Sequence, residues 1–255
     1  MMSRRTLISA TALSLTSRSC AAQADAAAEV HELRHYVTRP GRREDLVAMF
    51  EAHFLDAYER AGARIVATWR NLDDPRRWCW IRAFESLESR NGALRGFYTS
   101  EVWKQRADAC NATLADVGDA RLLRPLLAPV GAPDGPASRA PVHELLASQV
   151  GSGNVEAVAG LHAAAMPPLL EAHGAQATAR WVSADAGPPD PRRPLRAGTW
   201  VVTLVRHADA AALARSRRLR ATSAAWRAFE QQLAPLATVP MERWRLAPTA
   251  RSALR

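Results

Sequence analysis

Hydrophobic and polar positions fall into two alternating periods from residue 30 onward. Between Val30 and Val37, His31, Leu33 and His35 alternate with Glu32, Arg34 and Tyr36, a period of two that predicts a strand. Pro40-Gly41 turns the chain. Arg42 to Ala61 then places Val47, Phe50, Phe54, Ala57, Tyr58 and Ala61 on one helical face, with Gly62 where a left-handed cap belongs. Ala63–Trp69 and Trp78–Phe84 read as strands separated by the turn residues Asn71 to Arg77. Glu85 to Leu114 is mostly helical, and Ala120–Leu127 closes as a short strand.

The same plan is then written a second time. Val30-His31-Glu32-Leu33 recurs as Val142-His143-Glu144-Leu145, and at that offset of 112 the stretch 30–69 has 12 identities in 40 positions without a gap. Gly62-Ala63 matches Gly174-Ala175, and Trp69 matches Trp181; Asp74-Pro75-Arg76-Arg77 returns as Asp190-Pro191-Arg192-Arg193 after an insertion. Val158, His162, Met166 and Leu169 stand at the helix positions of Leu46, Phe50, Phe54 and Ala57, and a histidine at a phenylalanine position reads as a core or rim residue. Four segments follow: a leader over 1–24, a first unit over 25–127, a Pro/Gly/Ala-rich linker over 128–141 and a diverged second unit over 142–250.

Each unit has the order β-α-β-β-α-β, the ferredoxin-like arrangement. Two helices cover one face of a four-stranded sheet and leave the other bare, an apolar surface that must be buried. The expected fold is therefore α+β: two tandem ferredoxin-like domains packed sheet to sheet as an α+β barrel, within the monomer or across a homodimer. A lumen between the sheets is the expected home of a small-molecule ligand.

Composition narrows the function classes. Apolar residues make up 48% and charged residues 23%, a globular balance, and no apolar run reaches the ~18 residues of an integral membrane span. The net charge of +9 comes almost wholly from Arg, with Lys104 the one lysine, and residues 25–141 are neutral. Arg215, Arg217, Arg218 and Arg220 fall on an expected helix and read as a solvated face, so nucleic acid is not the expected partner. Ser3-Arg4-Arg5-Thr6-Leu7-Ile8, a weakly apolar stretch and Ala22-Gln23-Ala24 resemble a twin-arginine export leader, which implies a periplasmic destination; a cytoplasmic or mitochondrial one is the alternative.

Glu32-Leu33-Arg34-His35-Tyr36, Pro40-Gly41, Phe50, Gly62, Trp69, Phe84, Arg90 and Tyr98-Thr99-Ser100-Glu101-Val102-Trp103 together resemble the NIPSNAP family. The resemblance covers residues 30–127; in the second copy Arg34, Tyr36 and Pro40 become Leu146, Ser148 and Ser152. It implies paired ferredoxin-like domains of the dimeric α+β barrel type, and brings no catalytic residue with it.

The candidate chemistry is correspondingly spare. Glu32, Arg34 and Tyr36 share one strand face, and with Trp69, Trp80 and Arg82 they are the candidate ligand-binding set, if that face looks into the lumen. An internal ion pair of Glu32 with Arg34 or Arg82 is the plainer reading. No Gly-x-Ser-x-Gly, His-Glu-x-x-His or Walker lysine is present, and no catalytic residue, metal site or cofactor is assigned. His31 and His35 lie ~13 Å apart on a strand, too far to share a metal, and a core role outweighs haem ligation. Cys20, Cys79 and Cys110 are too scattered for a zinc or disulfide framework. The expected function is that of a small-ligand- or partner-binding protein; the alternative is a cofactor-independent monooxygenase or isomerase using Glu32, Arg34 and Tyr36.

Overall fold

The computed structural model describes residues 29–130, 141–185 and 194–254. The expected leader over 1–24, most of the expected linker and the recurrence Asp190–Arg193 lie outside the described residues. The first half runs β1 (Val30–Thr38), α1 (residues 43–60), β2 (Arg64–Asn71), β3 (Arg77–Phe84), α2 (Leu87–Thr99), α3 (Glu101–Thr113) and β4 (Leu114–Leu127). The second runs β5 (Val142–Val150), α4 (Val155–Ala172), β6 (Gln176–Ser183), β7 (Thr199–His207), α5 (Ala210–Thr222), α6 (Ala224–Leu233) and β8 (Glu242–Pro248). None of the described helices is long and apolar enough to cross a membrane.

Local chemistry accounts for most boundaries. Helix α1 carries a π-helical turn at Phe50–Phe54 between α-helical Arg43–Met49 and Leu55–Arg60, and Gly62 follows it at φ +99°, a conformation that favours glycine. The expected helix over 85–114 is two helices. Ser100 breaks it with ψ 153°, and its Oγ accepts from the Trp103 amide at 3.2 Å, capping α3. Strand β4 begins at Leu114, six residues before the alternation of its apolar positions starts, because Val37 and Thr38 of β1 pair with Asp116 and Leu114 across register shifts.

The eight strands form one closed antiparallel barrel in the order β1-β3-β2-β8-β5-β7-β6-β4. The α+β barrel is the expected one, but the half-sheets join edge to edge instead of stacking face to face. Strand β2 pairs with β8 through Trp69↔Pro248 to Asn71↔Leu246, and β4 pairs with β6 through Leu123↔Ser183 to Leu127↔Arg180. Edge strands leave backbone donors and acceptors unpaired, and closure removes the edges. Eight strands enclose an interior just wide enough for side chains to fill. Leu33, Trp69, Ile81, Leu145, Trp181 and Trp200 pack there as one buried cluster, so the barrel interior is core rather than an open lumen.

Two hydrogen bonds cross that core in reciprocal fashion. Trp181 Nε1 donates to His31 Nδ1 at 3.0 Å, and Trp69 Nε1 donates to His143 Nδ1 at 3.2 Å. His31 and His143 are matched positions at the offset of 112, as are Trp69 and Trp181, so each half supplies the acceptor for the other half's donor. An accepting Nδ1 requires a neutral imidazole. Trp181→Phe leaves His31 Nδ1 buried without a donor, and a loss of about 1–3 kcal/mol is expected in urea unfolding.

Burial, aided by nearby guanidinium groups, pulls the imidazoles of His35, His143 and His162 down to about 3. The unfolded chain protonates these groups near pH 6.5 while the folded chain does not. Their stabilising contribution is thus whole above pH 6.5 and is lost as pH falls from there toward 3, by up to about 1.4 kcal/mol per pH unit for each histidine. The urea midpoint is expected to fall between pH 7 and pH 5. His162→Phe, which restores the residue found at the matched position Phe50, should reduce that slope by about one proton.

Candidate functional site

Because side chains alternate along β1, placing His31, Leu33 and His35 inside the barrel sends Glu32, Arg34 and Tyr36 to the outer face, beneath the helices. Strand β3 runs beside it in the register Glu32↔Arg82, Arg34↔Trp80 and Tyr36↔Trp78, so its outward residues join them. Five members of the candidate set, Glu32, Arg34, Tyr36, Trp80 and Arg82, therefore share one layer. Trp69 does not: it is in the barrel interior, bonded to His143. The expected route from this face into a lumen is overturned, since the lumen lies on the other side of the strand and is filled.

Glu32 is the electrostatic centre of the layer and exposes none of its surface. Its Oε1 accepts from Arg34 Nη1 at 2.6 Å and Arg82 Nη2 at 2.7 Å, and its Oε2 accepts from Arg90 Nε at 2.6 Å. Helix α2 delivers Arg90: Ser86 caps the helix by accepting from the Ser89 amide at 3.1 Å, and Arg90 sits one turn on, over β1. Burial alone would raise the Glu32 carboxyl's pKa, but the charges of Arg82, Arg34 and Arg90 override it and hold the group well below the ordinary carboxylate range. One carboxylate faces three guanidiniums, a local surplus of two positive charges. Arg34 Nε and Arg82 Nε and Nη1 are buried without a hydrogen-bond partner. The aromatic rings beside Arg82 take up part of that deficit, with its Cζ 4.7 Å from the Tyr58 centroid and 4.9 Å from that of Trp80.

A cavity of about 460 Å³ opens beside this cluster between β1 and helices α1–α3. Arg34 and Tyr36 contribute from the sheet, Tyr58 from α1, Tyr98 from α2, and Trp103 and Asn111 from α3. Arg34 Nη2 also donates to the Val117 carbonyl at 3.2 Å, and its Cζ lies 5.1 Å from the Tyr36 centroid, which fixes the guanidinium at the wall. Burial raises the pKa of the Tyr36 and Tyr58 phenols, keeping them protonated as donors. Burial likewise pushes the Cys110 thiol up to about 12, so this cavity-lining cysteine is no nucleophile at neutral pH. Tyr58, Tyr98, Trp103 and Asn111 were not read from sequence as site residues. The signal for two of them was the string Tyr98–Trp103, which carried the family resemblance without any indication of direction.

The described residues hold no group of three His, Cys, Asp or Glu placed to bind a metal ion. The strand histidines are engaged elsewhere: His31 with Trp181, and His35 Nε2 with Asn71 Nδ2 at 3.3 Å.

Residues 31–127, which supply all of this cavity's lining but Pro194, match the NIPSNAP family model. This half of the chain is a NIPSNAP domain. The whole barrel has the fold of three solved proteins. An anthrone oxidase-like protein superposes with TM-score 0.62 at 12% identity, over 89% of this chain and 95% of its own. A provisionally named monooxygenase from Lactobacillus acidophilus NCFM gives 0.55 at 11% identity, over 87% and 94%. Another from Fusobacterium nucleatum gives 0.57 at 9%, over 87% and 93%. At these identities the likeness is one of fold. No curated protein matches the sequence.

The arrangement around Glu32 in the NIPSNAP domain is a structural centre as well as a source of charge. Glu32→Gln leaves three buried guanidiniums without their counter-charge. It should cost about 3–5 kcal/mol in urea unfolding, against less than about 1 kcal/mol for the rim substitution Thr99→Ala.

Proposed function

We propose that the cavity of the NIPSNAP domain binds a small aromatic anion. The observation that carries this reading is the unneutralised guanidinium charge of the Glu32 cluster, presented by Arg34 at the wall of an otherwise aromatic cavity. Tyr36, Tyr58, Tyr98 and Trp103 supply ring faces for a planar group, and a carboxylate or enolate would meet the Arg34 side. The same reading treats the chain as two copies of one ferredoxin-like unit, of which the first keeps the site. The repeat at an offset of 112 and the reciprocal His–Trp bonds support it.

The second reading is a cofactor-independent monooxygenase or isomerase. The placement of Arg34 and Tyr36 on the cavity wall favours it. Glu32, however, does not suit the role of base, because both its oxygens are occupied and three guanidiniums stabilise its ionised form. The Tyr36 phenol, which burial keeps protonated, would serve as a hydrogen-bond donor to the substrate.

Titration of the full chain with 2-naphthoate, followed by tryptophan fluorescence, tests the binding reading. Saturable quenching is expected, at least tenfold tighter than with the neutral 2-naphthamide. Asn111→Trp, at the exposed cavity rim, should abolish it without altering the far-UV spectrum. Equal affinity for acid and amide, or no saturation with either, would remove the anion assignment.

A further inference from the structure

Glu144 stands in β5 where Glu32 stands in β1, on the outer face beneath the second helical layer, yet its surroundings differ. Its Oε2 accepts from Arg220 Nη2, and His207 Nε2 lies 3.9 Å away. Its Oε1 is buried and has no hydrogen-bond partner. Arg220 is 5% exposed, and its Nε is likewise buried and unpartnered, with Cζ 4.9 Å from the Trp226 centroid. A buried donor and a buried acceptor without partners are costly.

Glu144 and Arg220 are among the residues that line a cavity of about 240 Å³, with Arg217, Arg227, Arg243 and Glu230. Glu230 Oε1 accepts from Trp226 Nε1 at 3.0 Å and from Arg243 Nη2, so that carboxylate and that guanidinium neutralise one another. Arg217 and Arg227 have no carboxylate partner among the described residues. Four arginines and two glutamates leave a surplus of two positive charges, and the volume suits a tetrahedral anion with a little hydration water.

We propose that this cavity binds a small oxyanion that retains one O–H group, with hydrogen phosphate as its simplest form. The charged oxygens accept from Arg220 Nε and from the Arg217 and Arg227 guanidiniums. The O–H donates to Glu144 Oε1, which fully ionised anions cannot do. The Glu32 centre offers no such acceptor, since three arginines occupy both its oxygens. The arginine run of α5 thus has two roles: Arg215 and Arg218 face solvent, while Arg220 turns inward and Arg217 stands at the cavity wall.

Isothermal titration calorimetry of the full chain with inorganic phosphate at pH 7.5, at ionic strength held constant with chloride, tests the assignment. One saturable site is expected, and sulfate, which has no O–H at this pH, should bind at least tenfold more weakly. Combining Arg217→Gln with Arg227→Gln, both exposed positions, should weaken phosphate at least tenfold. Far-UV spectrum and 2-naphthoate titration should be unchanged, because neither arginine lines that ligand's cavity. Absence of saturable heat, sulfate matching phosphate, or a double variant that binds phosphate as well as the parent protein would each overturn the proposal.

Discussion

Closure of the sheet is the constraint on which the rest of the molecule depends. A four-stranded sheet with two helices on one face has two problems, a bare apolar face and two unpaired edges. Joining β2 to β8 and β4 to β6 solves both, since the curled sheet encloses its own bare face and has no edge left. The chain after β8 reinforces the seam: Thr68 Oγ1 and Thr249 Oγ1 lie 2.6 Å apart, and the Thr249 amide donates to the Thr68 carbonyl at 3.0 Å. Once the barrel is closed its interior belongs to tryptophans and aliphatic side chains. Open volume survives on the other side of the strands, under the helices.

That displacement decides where polar chemistry can occur. The alternation of β1 and β5 directs histidines inward and glutamates outward, so the two residue types that drew notice in the sequence serve opposite layers. Inside, His31 and His143 accept hydrogen bonds from tryptophans of the opposite half, which fixes their tautomers and ties the halves across the core. Outside, Glu32 and Glu144 gather arginines in a low-dielectric layer, where a guanidinium without a carboxylate is costly unless rings or a ligand compensate it. The two sites diverge in how that balance is struck. The first half oversupplies arginine around one saturated carboxylate beside an aromatic cavity, and the second leaves one buried oxygen and one buried guanidinium nitrogen without a partner next to a small polar cavity.

The Val-His-Glu-Leu recurrence, the two periods of hydrophobic placement and the turn residues sufficed to predict the strands, the first helix and the α+β class, because each rests on contacts within a few residues. The family resemblance was legible over 30–127, and the family model matches 31–127. Glu32, Arg34 and Tyr36 were legible as one face from strand periodicity, and the antiparallel pairing of β1 with β3, strands separated by α1 and β2, adds Trp80 and Arg82. Trp69 was misassigned because its strand shows no polar alternation: five consecutive residues from Ile65 to Trp69 are buried, and buried strands look alike on both faces.

The local pattern therefore determined which residues of β1 share a face and most of the elements that form. It could not say which face would become the inside. That depends on whether two half-sheets stack or join at their edges, a choice set by twist, curvature and backbone pairing between segments more than a hundred residues apart. Only the closed barrel sent Glu32 toward Arg90 and Glu144 toward Arg220, and only helices packed from elsewhere in the chain left a cavity beside each.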